Sequence, residues 1–162
     1  MAEGWFVRNV RDMQWYERGP RGKVAILVED EPRQVGVNLF VLGPGEPMAM
    51  YHWEADQEDY LVLSGEALLI VEDEERPLKQ WDFVHTPPHA AHVLIGAGSG
   101  PAVIIAVGAR EHQDGEDWGG YPLSEVAARH DAASPVETND ANIAYARFPA
   151  REPSPYRDGW LP

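Results

Sequence analysis

Hydrophobic positions in this chain recur with a period of two in short runs, and the runs are broken by Gly, Pro and acidic residues. Residues 35–42 (VGVNLFVL) are dense in β-branched and aromatic side chains and predict a strand; 23–29 (KVAILVE) predict another. Gly43-Pro44-Gly45-Glu46-Pro47 then turns the chain. Read as a strand, residues 48–54 (MAMYHWE) set Met48, Met50, His52 and Glu54 on one face and Ala49, Tyr51 and Trp53 on the other. In 58–64 (EDYLVLS) the alternation groups Glu58, Tyr60 and Val62 against Leu61 and Leu63. A turn at Ser64-Gly65 leads into 66–73 (EALLIVED), with 73–75 as a solvated hairpin tip. Further strands are predicted near 76–80, 82–85, 92–96 and 102–107. Residues 68–71 are apolar on both faces, the pattern of a strand sandwiched between layers. Roughly eight or nine short, closely spaced strands describe an all-β sandwich or barrel, and a small jelly-roll barrel is the form expected.

The ends of the chain read differently. Residues 1–34 hold an arm of aromatics beside charges without sustained period, followed by the first strand, and the arm is expected to lie on the body or on a partner subunit. Residues 35–108 form the barrel core. In 109–162 the composition becomes polar and Gly-rich, then supports one short helix over 123–130 with Ser124 as N-cap. A Pro-rich tail closes the chain. It keeps Tyr145, Phe148, Tyr156 and Trp160, aromatics that disordered tails usually lack, so it is expected to pack on the barrel or a partner subunit. No internal repeat is present, which describes a single barrel unit.

Length and composition narrow the function. With 162 residues, 44% of them hydrophobic, one domain with a sizeable core is expected. A formal net charge of −14 argues against nucleic acid or an anionic membrane surface as the main partner and favours a small molecule or another protein. Cysteine is absent, so there is no disulfide and no thiolate; any metal must be held by His, Asp or Glu. Neither a signal-peptide apolar region near Met1 nor a run of membrane-spanning length is found, and a soluble cytoplasmic protein is expected.

The chemistry concentrates in two stretches, MAMYHWEADQEDYLVLSG and WDFVHTPPHAAHVLIG. Strand parity aims His52 and Glu54 the same way, Glu58 follows after a short acidic break, and His92 reaches the same place from a second strand if the sheet curls over itself. Two imidazoles and two carboxylates buried together need a compensating partner, and a divalent metal is one that all four can bind. His85 could share an inward face with Phe83 and serve as a proton carrier; the plainer reading is a half-buried His with a backbone partner. Met48 and Met50 read as filling the barrel, Trp53 and Trp81 as core or subunit contacts, and His89 as exposed in a Pro-flanked turn. Tyr51 should face away from His52.

These stretches resemble the paired signature motifs of the cupin superfamily. The first appears here as Gly45, His52, Glu54, Glu58 and Gly65; the second as Trp81, Pro87, His89, His92 and Gly96. His52 matches the first family ligand, Glu58 the carboxylate and His92 the last. Glu54 stands where the family has a second His, and Trp81, His89 and Gly96 stand in place of Gly, Gly and Asn. The resemblance covers roughly 35–107 and implies a jelly-roll barrel with a metal in its mouth and a homodimer as a common state. A metal set of His52, Glu54, Glu58 and His92 suits Fe, Mn, Ni or Zn, and its extra carboxylate favours the harder Mn and Fe. The function expected is a metal-dependent enzyme acting on a small polar molecule, a sugar or a carboxylic acid, by oxygenase, isomerase or decarboxylase chemistry. A non-catalytic small-molecule-binding module is the alternative, and a structural dimer with an empty barrel a third reading.

Overall fold

A computed structural model describes residues 5–29 and 34–162; residues 1–4 of the expected arm, and 30–33, lie outside the described residues. Among the described residues twelve strands are formed: β1 (Trp15–Glu17), β2 (Lys23–Ile26), β3 (Val35–Leu42), β4 (Trp53–Glu54), β5 (Glu58–Ser64), β6 (Glu66–Val71), β7 (Glu74–Lys79), β8 (Phe83–Thr86), β9 (His92–Ala97), β10 (Ala102–Ala109), β11 (Gly119–Gly120) and β12 (Glu152–Ser154). All pairings are antiparallel. One sheet runs β12-β1-β2-β3-β10-β5-β8, a second runs β7-β6-β9, and β11 with β4 makes a third, two-stranded piece. The first two face each other as a jelly-roll barrel.

Alternation explains the core. Phe40 and Leu42 of β3, Tyr60 and Val62 of β5, Leu69 of β6, Leu94 of β9 and Ile104 of β10 point between the sheets, joined there by Met48. The intervening residues of these strands are apolar too, and each outer face is covered. Outside the large sheet, Leu39, Val41 and Val103 pack with Trp15 of the arm and with Tyr156, Trp160 and Leu161 of the tail. Outside the small sheet, Ile70, Val93 and Ile95 pack with Tyr51, Ala127, Ala132 and Ala133. The two-faced apolar strands thus have a layer on each side.

Three expectations change in detail. The arm is not wholly irregular, since β1 pairs with both β2 and β12 and draws the two ends of the chain into the barrel's own sheet. The strand expected over 48–54 contracts to β4, because its backbone groups are shared among several partners and form no single ladder. Met48 N–H donates to Leu94, Tyr51 N–H to Ala132, and His52 exchanges both bonds with His92. The expected short helix is present as α1 (Glu125–Ala128), capped by the Ser124 side chain on Ala127 N–H. A second, α2 (Ala141–Ala144), capped by Asp140, adds to it; four residues are too few to show a helical period in sequence.

Candidate metal centre

The barrel mouth brings together residues from three places. His52 and His92 are bonded backbone to backbone in an isolated bridge, His52 N–H to His92 O at 3.1 Å and the reverse at 2.8 Å, which puts the rings side by side with centroids 4.9 Å apart. Glu58 opens β5 and shares its inward face with Tyr60 and Val62. His52, Glu58 and His92 each offer a ligand atom, all lying within 4.8 Å of one another.

Hydrogen bonds fix which atoms face the centre. His52 Nδ1 is 2.8 Å from Met50 O and His92 Nδ1 is 2.9 Å from Ala90 O. A carbonyl only accepts, so both Nδ1 atoms carry protons and each neutral ring turns an Nε2 lone pair inward. Those lone pairs meet oxygens: Glu58 Oε2 is 3.1 Å from His92 Nε2 and 3.5 Å from His52 Nε2, and Glu54 Oε1 is 3.6 Å from His52 Nε2. Glu58 Oε2 and Glu54 Oε2 are buried with no hydrogen-bond partner. Acceptors converging out of water require a shared positive charge. A proton answers part of that need. Burial opposes charging His52, but Glu54 and Glu58 outweigh it and raise its pKa well above the ordinary imidazole value. Burial likewise pushes the Glu58 carboxyl up, and the two imidazoles overcome it and hold the pKa low. A divalent cation answers the need more fully, and anchored Nδ1–H groups are the usual support of imidazole ligands. The donor set therefore fits a metal.

Glu54 is brought alongside but not into the three-residue group. Its Oε1 faces His52, while its Oε2 lies 3.6 Å from Arg110 Nη1. His85 is not brought in. In the β5–β8 register Asp59 is opposite His85, Tyr60 opposite Val84 and Glu58 opposite Thr86. Directly paired residues share a face, so Val84 and Thr86 point inward while Phe83, 64% exposed, and His85 point out. His85 Nδ1 is bonded to Asp59 Oδ1 at 2.6 Å on that outer surface. The inward placement fails because apolar Phe83 is on the solvent face, which reverses the phase of the whole strand. Tyr51 is buried outside the barrel, as strand parity requires, and Trp53, expected in the core or at a subunit contact, borders the cavity.

A second layer of the site comes from Tyr60, which strand parity sets beside Glu58, and from Tyr121 and Tyr145 beyond the barrel. The Tyr60 hydroxyl donates to His92 Nε2 at 2.7 Å, and burial and the neighbouring carboxylates raise its pKa well above that of ordinary tyrosine, so it stays a proton holder. Tyr121 stacks on His52 at 6.0 Å, and Tyr145 stands edge-on to Tyr121 at 5.7 Å. Tyr121 is set there by β11. Gly120 lies so close to Trp53 that a Cβ would fall 2.7 Å from its Nε1, and this closeness lets β11 pair with β4. Together these residues wall a cavity of about 570 Å³ that opens from the His52, Glu58 and His92 cluster. The alternation of β5 marks Tyr60 and the tail's aromatic content marks Tyr145, while Tyr121 carries no mark in the sequence.

A jelly-roll barrel with a His and carboxylate centre in its mouth defines the class. Residues 38–108 match the family model of the Cupin domain, and this stretch is identified with the cupin superfamily. It is similar to a sugar phosphate isomerase of that superfamily from Silicibacter pomeroyi, at 26% identity and TM-score 0.51, over 54% of this chain and 59% of that one. It is also similar to a protein from Acidithiobacillus ferrooxidans assigned as a sugar phosphate isomerase, at 34% identity and TM-score 0.47, over 48% of this chain and 51% of that one. A cupin-like protein from Thermotoga maritima matches at 24% identity and TM-score 0.54, over 70% and 87%. The chain thus spans between half and three fifths of the two isomerases. None of the curated proteins compared with it matches. Among the described residues no helix is long and apolar enough to cross a membrane.

Proposed function

We propose that this protein is a metal-dependent enzyme acting on a small polar molecule, a sugar or carboxylic acid, in the barrel mouth. The reading rests on the convergence of two lone-pair imidazole nitrogens and an unpartnered buried carboxylate oxygen within 4.8 Å. His52, Glu58 and His92 would hold Fe, Mn, Ni or Zn, with Glu54 the adjoining carboxylate. The metal would act as a Lewis acid on a substrate oxygen. The chain's own residues do the rest. Met50 and Ala90 carbonyls keep both imidazoles oriented, Arg110 holds Glu54 beside His52, and Tyr60 keeps its own proton beside the centre. Among the expected chemistries isomerisation is favoured by the likeness to the Silicibacter pomeroyi isomerase. His85 has no place in it, being on the outer face. In this reading residues 35–108 supply the centre while Arg18 and Arg21 of the arm and residues from 110 to 151 wall the cavity, and the protein works in the cytoplasm as a homodimer.

The test is elemental analysis of protein purified without a metal-affinity tag, beside His52→Ala and His92→Ala. Near-stoichiometric metal in the parent, lost from both variants, is the expected result. Absence of metal from the parent, with none taken up from Fe(II), Mn(II), Ni(II) or Zn(II), would turn the reading to a binding module without a metal.

A further inference from the structure

The cavity is electrically divided. At one end stand the imidazoles and the carboxylates of Glu54 and Glu58. At the other, a continuation of about 290 Å³ is lined by Arg18, Arg21 and Arg151 with Asn38, Phe40 and Tyr145, and by no carboxylate. All three arginines also line the main cavity, so the two ends share one space. In a chain with 27 acidic and 13 basic residues, three guanidinium groups lining a space with no carboxylate among the described residues are a pronounced local reversal of charge. Among the described residues none of the three has an ion-pair partner; Arg8, Arg11 and Arg147 also lack one but do not line this space, whereas Arg76, Arg110, Arg129 and Arg157 are each paired.

The three are not equivalent. Arg18 is buried, 6% exposed, and structural: Nη1 donates to Met48 O at 2.8 Å, Nη2 donates to Arg21 O, and the group lies over the Phe40 ring at 4.9 Å. Its Nε has no partner. Loss of hydration and the neighbouring Arg21 lower its pKa to about 9 against a smaller opposing effect of Glu46, which leaves it charged near neutrality and without an ion-pair contact among the described residues. Arg21 makes no side-chain hydrogen bond among the described residues; its guanidinium rests on Tyr145 at 4.6 Å and Phe148 at 5.2 Å, and its Nε is buried and unpartnered. Arg151 is exposed and lies over Tyr16 at 4.3 Å. Rings hold these two guanidinium groups in place and leave their hydrogen-bonding edges uncommitted, the arrangement in which arginine takes an oxoanion with two parallel bonds. A wall of rings runs from one end to the other, His52 on Tyr121, Tyr121 on Tyr145, Tyr145 under Arg21.

We propose that Arg21 and Arg151, with Arg18 beneath them, form a subsite for the phosphoryl group of the substrate, whose other end reaches the His52, Glu58 and His92 centre. The proposal rests on the reading of this cavity as the substrate chamber. A phosphate monoester is preferred to a carboxylate because three cations match a dianion more closely than a single negative charge. The subsite is built by the arm and the tail, Arg18 and Arg21 coming from residues 18–21 and Arg151 from the start of the β12 segment, outside the matched region at 38–108. These flanking segments, which close the outer face of the large sheet, thus also select the substrate.

The test is titration of the full chain with inorganic phosphate, followed by calorimetry at constant ionic strength, with acetate as a parallel probe. Trp53 and Trp118 line the cavity, so fluorescence gives a second readout. Saturable phosphate binding is expected, weakened about tenfold or more by Arg151→Ala and by Arg21→Gln and unchanged by Arg157→Ala, a surface arginine paired with Glu17. His92→Ala should keep phosphate binding while losing metal, so failure of the metal reading and failure of the subsite give different patterns. Absence of phosphate binding, or binding indifferent to Arg151 and Arg21, overturns the proposal. Binding of acetate in preference to phosphate at these residues overturns the phosphoryl assignment.

Discussion

Trp81 and His89 stand where the family motif has glycine, and both hold a left-handed backbone, with φ of 74° and 69°. A side chain in that region costs roughly 1–2 kcal/mol. The turn is fixed from outside: Trp81 N–H donates to Val62 O at 2.7 Å and His89 N–H to Glu54 O at 2.7 Å, so the strain is carried by the fold. Trp81 is 67% exposed and loses little packing when removed. Trp81→Gly should therefore raise stability by about 0.5–1 kcal/mol, the relieved strain less the extra freedom of glycine in the unfolded chain. Denaturant unfolding checks it, and a loss of stability would mean that the indole has a partner the single chain lacks. Gly96, where the motif has Asn, shows the reverse. A Cβ there would lie 2.1 Å from Gly43 O, while its N–H and C=O bond Glu46 O at 3.0 Å and Gly45 N–H at 2.8 Å. Gly96→Ala should cost about 1–3 kcal/mol by prising that turn off β9, read as a lower midpoint at unchanged slope.

At the scale of elements, the long barrel strands were legible because their period of two is sustained; β3 and β5 occupy 35–42 and 58–64, as their patterns predict. The inward placement of Glu58 was legible for the same reason, since the parity of β5 fixes it beside Tyr60. What escaped was short or dependent on register. β1 and β12 have three residues each, too few to alternate, and they are strands only because they find one another and β2 across the length of the chain. β8 has four residues, and one exposed aromatic was enough to invert its phase and misplace His85. Arg21 and Arg151 carry no local mark at all, for their meaning lies in sharing a wall. The arm and tail are held chiefly by Trp15, which is fully buried, donates Nε1–H to Val10 O at 3.0 Å and meets Trp160 and Tyr156 at 5.4 and 5.9 Å. Trp15→Ala should cost about 3–5 kcal/mol and expose the outer face of the large sheet, measured by equilibrium unfolding and by dye binding to apolar surface.

At the scale of the whole molecule, one wall of the cavity is a loop that must be fastened to the barrel. Residues 110–118 bring Gln113, Glu116 and Trp118 to the cavity. The loop is tied down by Ala55 N–H to Trp118 O at 2.7 Å and by Asp56, which accepts from His112 N–H at 2.9 Å and is bonded to His112 Nδ1 at 2.6 Å. Asp56 is buried and His112 mostly exposed, so the ring screens a carboxylate that would otherwise be stranded. The hydrogen bond and charge of Asp56 raise the His112 pKa, with a smaller contribution from Glu111. For a histidine raised above its unfolded value of 6.5, the added stability is fully present below that value and is lost as pH climbs through the higher folded value. The parent should thus melt higher than His112→Asn at pH 5.5, and the gap should narrow by pH 9 as the imidazolium is lost. Thermal unfolding at the two pH values gives the answer. A gap that does not change with pH would show that the backbone bond to Asp56, and not the charge on the ring, fastens the loop; a gap that widens would contradict the direction of the shift.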